Sequence, residues 1–512
     1  MATAKKIDSG IVGLRFAHET DPGTLIGSPI WYPLDPNSYS DFGATITTLV
    51  RKPISAARQN KKGVVTDVDA TAGFSIDLTQ DNHQDLLQGF MFADFRRKGE
   101  FVDVPSVTVT GGDDTYEITQ TTGFQVGSLV FSSGFTNGAN NGLKRATAIV
   151  ADTSVAVAQT LVTEASPPAA SKLVVVGFQG ATADFNIDAT GTYPAITSTA
   201  KDFTQLGLIP GEWIYIGGDS APTEFVTDAN NGFKRIWTIS ANRIEFDKST
   251  SAMVNETGTG LTVQLFFGRV LKNETDQLII RKPVQFERTL GASDTAQPTQ
   301  IQSEYILGCM PNQMSLNIPT ADKITTDLTY VALKSEQRTG VQGVKAGTRP
   351  ALIDTDAFNT SSDFSRIKLS LVETGNESPT PLFAFVTDLK IDINNNIKPN
   401  KAVGVLGAFD LTAGTFDVSG SITAYFADVT AITAIPGNLD VTFDIIAAKN
   451  NSGFVIDMPL LSLGDGKLNI AQDEPITIPL SLNAASAAKF GADWNHTILM
   501  GFYDYLPSVA EA

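Results

Sequence analysis

Along most of the chain apolar and polar positions alternate with a period of two. Val107-Thr-Val-Thr110, Trp213-Ile-Tyr-Ile216, Thr262-Val-Gln-Leu265, Leu389-Lys-Ile-Asp-Ile393 and Gly420-Ser-Ile-Thr-Ala-Tyr425 are the plainest cases. Extended backbone sends successive side chains to opposite faces, and β-branched and aromatic residues favour it, so these segments read as half-buried strands. Gly, Asn, Asp and Pro turns separate them, which predicts mainly antiparallel β structure. Helical spacing is rare. Between Asp81 and Arg96, Leu86, Leu87, Phe90, Met91 and Phe95 share one face and Asp81 is placed to cap, which predicts a helix lying against a sheet. A weaker helix signal covers Ala484 to Phe490.

Repetition organises the chain. Ala139-Asn-Asn-Gly-Leu-Lys-Arg145 recurs 90 residues later as Ala229-Asn-Asn-Gly-Phe-Lys-Arg235. Upstream, Val126-Gly-Ser-Leu-Val-Phe131 is echoed by Pro210-Gly-Glu-Trp-Ile-Tyr215, and Val174-Val-Val-Gly-Phe178 loosely by Gln264-Leu-Phe-Phe-Gly268. Repeats of this size imply tandem modules, each with an Asn-Asn-Gly turn suited to positive φ. The ends echo each other too: Ala72-Gly-Phe-Ser-Ile-Asp-Leu78 with Ser419-Gly-Ser-Ile-Thr-Ala-Tyr425, and Arg51-Lys-Pro-Ile54 with Arg281-Lys-Pro-Val284. The expected division is therefore a first β-domain split into residues 1–100 and 271–335, inserted β-modules at 101–180 and 181–270, a Gly-rich linker at 336–349, and a related second domain at 350–512. At roughly 150 residues per domain, 512 residues accommodate such a plan.

Composition narrows the function. Lys and Arg total 37 against 55 Asp and Glu, a formal charge of −18, the wrong sign for a coat on DNA or on an anionic membrane. Hydrophobic residues make up 42%, so the chain folds rather than remaining disordered. No apolar run approaches the roughly 18 residues of a membrane span, and the N-terminal MATAKKIDSG lacks the apolar core of a secretory signal, so synthesis in the cytoplasm is expected. The single cysteine, Cys309, follows Gly308 in an apolar run and reads as a buried structural thiol.

The search for chemistry returns little. His18, His83 and His496 are scattered, without metal-ligand spacing, and read as ordinary surface or helix residues. Asp67-Val-Asp69 opens like a calcium loop, but the glycine and the terminal Glu are misplaced. Neither a nucleophile elbow nor a phosphate-binding loop occurs. No cofactor, metal or catalytic constellation is expected, and the chain reads as non-enzymatic. Basic residues do cluster, at Arg51, Lys52, Arg58, Arg96 and Arg97, with Arg281 and Arg288 at the echo; in an acidic protein such groups suit subunit contacts.

Arg51-Lys-Pro-Ile, Ala72-Gly-Phe-Ser-Ile-Asp-Leu-Thr, Asp85-Leu-Leu-Gln-Gly-Phe-Met-Phe92, Gly308-Cys-Met-Pro-Asn-Gln-Met-Ser-Leu-Asn-Ile318 and Thr387 to Asn396 running into Gly407 to Gly420 resemble the major tail tube proteins of long, non-contractile-tailed bacteriophages. The repeated modules look like small β-domains inserted in such tail proteins. The resemblance implies a mainly β fold: two tail-tube β-sandwich domains with a flanking helix and long hairpins, plus the inserted modules. It implies a structural virion protein, made in the host cytoplasm and carried in the virion tail, whose copies form rings that stack into a tube for viral genome ejection. Two tube domains per chain would make a trimer with pseudo-sixfold symmetry, preferred to a true hexamer. Partners would be other copies, tape measure and tail-end proteins, and double-stranded DNA in transit without specific binding. Long hairpins are expected at about Ala44–Leu78, Gln277–Ile318 and Leu389–Phe426, with Asp67, Asp69, Asp410 and Asp417 as candidate lumen-lining residues, since an acidic wall repels phosphate. The alternative is a virion or secreted adhesin binding host surface glycans, for which Trp213 and Trp237 would be aromatic platforms.

Overall fold

The alternating segments become strands because each buries one face, and among the described residues strands take up 50% against 8% helix. The computed structural model describes residues 7, 9–80, 84–110, 113–247, 252–291, 301–340, 343–371, 385–426, 429, 432 and 435–511. Two compact units result, the first comprising Met1–Ala93, Asp276–Thr360 and Thr387–Ile422, the second Asp94–Thr275, Ser361–Val386 and Thr423–Ala512.

The first unit is organised by one long strand, Gln302–Pro319. Its first half pairs with Val284–Gly291 and Lys334–Arg338, its second half with Thr325–Ala332 and Val386–Asn394, all antiparallel. The changeover falls at Gly308, where φ is +66° and a Cβ would come within 2.7 Å of the Leu333 side chain, so the position admits only glycine. One strand thus serves two sheets, as in sandwiches whose strands switch sheet at a bend. Phe286 from one sheet and Phe74 and Tyr330 from the other meet edge to face or stacked, with centroids 4.9 to 6.3 Å apart. The helix Gln84–Met91 adds Phe90 against Tyr330 at 5.2 Å. It stops short of the Arg96 expected from spacing because Phe92 turns to φ +48° and ends the ladder, with Ala93 N–H bonding back to Gln88 O. Asp81 and His83 lie outside the described residues.

Of the expected hairpins the first is present and longer, its strands running Pro36–Arg51 and Lys61–Asp77. The second consists of Val284–Gly291 and Gln302–Pro319. The third is interrupted: between Val386–Asn394 and Asp417–Tyr425 the chain makes a smaller hairpin of its own, Lys398–Lys401 with Ala408–Thr412. Asparagines cause the break. Asn396 adopts φ +50°, and the buried Asn395 side chain donates to Phe90 O and Pro311 O, at 3.0 and 3.1 Å.

In the second unit the two sequence repeats fold alike. Lys172–Gln179 pairs with Ser128–Ser133, which leads through Gly142–Val150, Ser154–Val157 and Asp113–Glu117 to Ser106–Thr110; Gln264–Phe266 pairs with Trp213–Ile216, which leads through Gly232–Ser240, Arg243–Phe246 and Ala195–Thr197 to Asn186–Asp188. The two series join where Lys172–Gln179 pairs antiparallel with Gln264–Phe266. The rest of the unit is built around the hairpin Val441–Lys449 and Ser452–Asp465, turned by Asn450 and Asn451, both at positive φ. The second expected helix is a single 3-10 turn, Ala487–Phe490.

Candidate assembly surface

The first hairpin changes character along its length. From Ala70 to Asp77 the strand Lys61–Asp77 is flanked on both sides, by Pro36–Arg51 and by Thr325–Ala332, and the last pair on the latter side is Ala70 with Ala332. Beyond Ala70 only the two hairpin strands pair with each other, so among the described residues the arm continues as a free two-stranded ribbon. Ile46, Leu49, Val50, Ile54, Val64 and Val65 on it are exposed, Leu49 by 65% and Ile54 fully. Residues 43–66 also carry Arg51, Lys52, Arg58, Lys61 and Lys62 and no acid. An isolated two-stranded ribbon is marginal in water, and exposed aliphatic groups in such number mark a contact surface.

Two charged contacts grip the root of this arm. On the outgoing strand, Arg288 lies over the Phe42 ring, 4.4 Å from its centroid, donates to Phe42 O at 3.4 Å and pairs with Glu304. On the returning strand, Lys401 from the small hairpin pairs with both Asp67 and Asp69, the latter at 2.6 Å. The hydrogen bond from Lys401 holds the Asp67 carboxyl below the usual carboxylate range. Asp410 and Asp417 are exposed in the same unit; Asn400 reaches Asp410 at 3.5 Å and Asn396 donates to Asp417 at 2.7 Å. The small hairpin buries Ile397 and Leu411 against Met310 while exposing Val403, Val405, Leu406 and Phe409.

The basic candidates are thus placed differently. Arg51, Lys52 and Arg58 are exposed on the arm, and Arg281 is exposed elsewhere in the first unit. Arg288 holds the arm root. Arg96 pairs with Glu274 and Arg97 with Glu100, both in the second unit. Sequence reasoning missed Lys401 and Phe42, whose partners lie hundreds of positions away and leave no local signal, and Glu304, which pairs with Arg288 across a hairpin.

The repeated modules carry a duplicated polar cage. In the first, the fully buried Asn140 side chain donates to Val162 O and Glu164 and accepts from Val162 N–H, at 2.8 to 2.9 Å. In the second, Asn230 does the same with Val254 and Glu256. Glu164 also receives the N–H groups of Thr136 and Asn137, and Glu256 those of Val226 and Thr227. Lys144 caps Ala139 O and Lys234 caps Ala229 O. Gly142 and Gly232 take φ +96° and +88°, as the Asn-Asn-Gly turn predicts. These groups satisfy one another, so the motif is architectural.

Other candidates for chemistry are enclosed. Cys309 is fully buried, its thiol pushed up by desolvation. His496, read from sequence as an ordinary surface or helix residue, is fully buried in the second unit beside Trp494, with no hydrogen-bond partner on either ring nitrogen among the described residues; desolvation lowers its pKa to about 3. Trp213 is buried, and Trp237 stacks on Tyr193 at 4.7 Å and packs on Phe490 and Trp494, so its ring is spent on neighbours. Among the described residues no group of three or more His, Cys, Asp or Glu is placed to hold a metal ion, and no helix is long and apolar enough to cross a membrane.

No curated protein matches the chain. A family model described as phage tail tube protein matches residues 174–484, more than half of its length. With that match over strands of both units, the chain belongs to the phage tail tube protein family.

Proposed function

We propose that the protein polymerises through its arm into stacked rings that form the tail tube, a channel through which double-stranded DNA leaves the virion. The carrying observation is the two-stranded ribbon beyond Ala70, whose outer part, residues 43–66, is apolar, basic and without an acid in a chain of net charge −18. A second copy of the chain supplies the complementary acidic surface, and docking hides the aliphatic groups at roughly 1.5 to 3 kcal/mol for each side chain fully buried. Open sheet edges are closed in the same step, which favours a ring over uncontrolled aggregation.

In this reading Arg51, Lys52 and Arg58 face the neighbouring copy, and Asp67, Asp69, Asp410 and Asp417 line the bore, four carboxylates against the ammonium of Lys401. Such a wall repels phosphate and lets DNA pass without adhering. The ring is a trimer with pseudo-sixfold symmetry, built from a split tube domain at 1–100 and 271–335 and a second at 350–512, with the modules at 101–270 as additions; tape measure and tail-end proteins complete the partners. Native mass spectrometry of the ring tests the stoichiometry, three chains supporting this reading and six replacing it by the hexamer. Asp410→Lys with Asp417→Lys, in virions that still assemble tails, slows DNA ejection; unchanged ejection kinetics remove these residues from the bore.

A further inference from the structure

The arm is a lever whose root is narrow. From Asp69 to Lys61 the returning strand extends about eight residues, about 26 Å at ~3.3 Å per residue, paired among the described residues to the outgoing hairpin strand alone. Two-stranded ribbons twist more freely than wide sheets, so the direction of such a ribbon is set where it leaves the sheet. A swing of about 10° at the root moves the far end by about 5 Å, one strand spacing, enough to lose the register of any docked surface.

Lys401 sits at that root. Asp67 and Asp69 lie on one face of the returning strand, two residues apart and immediately beyond Ala70, the last residue paired to the Thr325–Ala332 strand. Lys401 ends the Lys398–Lys401 strand, and its hairpin is fixed: Ile397 N–H bonds to Asn312 Oδ1 at 2.9 Å, Leu411 is buried, and a Cβ on Gly407 would come within 3.0 Å of Val68 O, so the small hairpin touches the arm backbone between the two aspartates. The opposite strand is held independently by Arg288 at Phe42.

We propose that Lys401 is a positioning residue for tube assembly: by bridging Asp67 and Asp69 it fixes the direction of the arm. This rests on the reading that the arm docks on a second copy. An ion pair this exposed adds little to global stability, so the clamp matters for direction and leaves folding almost unaffected. Its loss leaves ordering of the arm to the moment of docking, and the cost of that ordering appears as slower growth.

The test uses the full chain in two formats. Spin labels at Ile54→Cys and Leu352→Cys, both exposed positions of the first unit, report arm direction by pulsed EPR in a Leu49→Asp background that keeps the chain unassembled; the native Cys309 is buried and escapes labelling. Tube growth without labels is followed by light scattering. Lys401→Ala is expected to broaden the distance distribution about twofold and to slow growth about threefold, with the thermal midpoint unchanged. Lys401→Asp combined with Asp67→Lys and Asp69→Lys restores both, which loss of local structure alone would not. An unchanged distribution in Lys401→Ala overturns the clamp, and a broadened distribution with unchanged growth overturns its role in assembly. Wild-type chain that forms no tubes while the broadening persists overturns the assembly reading and upholds the clamp.

Discussion

Asn140 and Asn230 each satisfy a backbone N–H, a backbone carbonyl and a carboxylate while fully buried. Removing the amide orphans the N–H and carbonyl of Val162 or Val254 and takes one donor from the carboxylate, and a buried unsatisfied polar group costs about 1–3 kcal/mol. Asn230→Ala is therefore expected to destabilise by about 2–4 kcal/mol in denaturant unfolding, and Asn140→Ala by a similar amount, because the cages correspond group by group. A loss below about 0.5 kcal/mol at either site would mean that water replaces the amide. His496 gives a pH test. Desolvation, with Lys272, Arg235 and Arg96 adding positive potential, lowers its pKa from 6.5 to about 3 in the folded chain. The unfolded chain therefore binds a proton that the folded chain refuses. Stability from the neutral ring is full above about pH 6.5 and declines as pH falls toward 3, by up to ~1.4 kcal/mol per pH unit. His496→Phe keeps the stacking on Trp494, loses no hydrogen bond, and is expected to flatten the decline between pH 7 and pH 5; equal slopes in both proteins would show the histidine already solvated. At this scale the sequence was partly readable. Asn-Asn-Gly announced its turn through composition, but Glu164 and Glu256 did not announce the cage, because nothing local distinguishes a carboxylate that accepts backbone N–H groups from one in solvent. His496 was misread for the same reason, since burial is set by Trp494 and Gly211 packing around it.

Elements were more legible than contacts. Period-two alternation located the strands and the first hairpin, and the helix appeared where the Leu86, Leu87, Phe90 and Met91 face required it, shortened only by the left-handed turn at Phe92. The long hairpin expected at about Leu389–Phe426 is interrupted where the buried Asn395 amide bonds to carbonyls of distant elements. Likewise Arg288 joined the other basic residues as a contact candidate, although in the fold it grips Phe42 at the arm root, 246 positions away. For the arm itself, Leu49→Asp alters a side chain that is 65% exposed and is expected to leave secondary structure and thermal midpoint unchanged. It places a charge in the apolar docking face and should abolish growth in light scattering, whereas growth at the wild-type rate would remove the arm from the interface.

For the whole molecule, membership in the phage tail tube protein family and an arm paired to no third strand beyond Ala70 among the described residues lead to one claim, that the chain exists to assemble with itself. The net charge of −18, which first set DNA aside as a bound partner, becomes under the proposed function the property of a wall along which DNA slides. Electron microscopy of the purified full chain in negative stain measures the claim most directly. The account predicts stacked rings or tubes with an axial channel about as wide as a DNA duplex for the wild-type chain, and dispersed particles for Leu49→Asp. Wild-type chain that stays dispersed at concentrations where tail proteins assemble, or tubes that form equally well with Leu49→Asp, would contradict it.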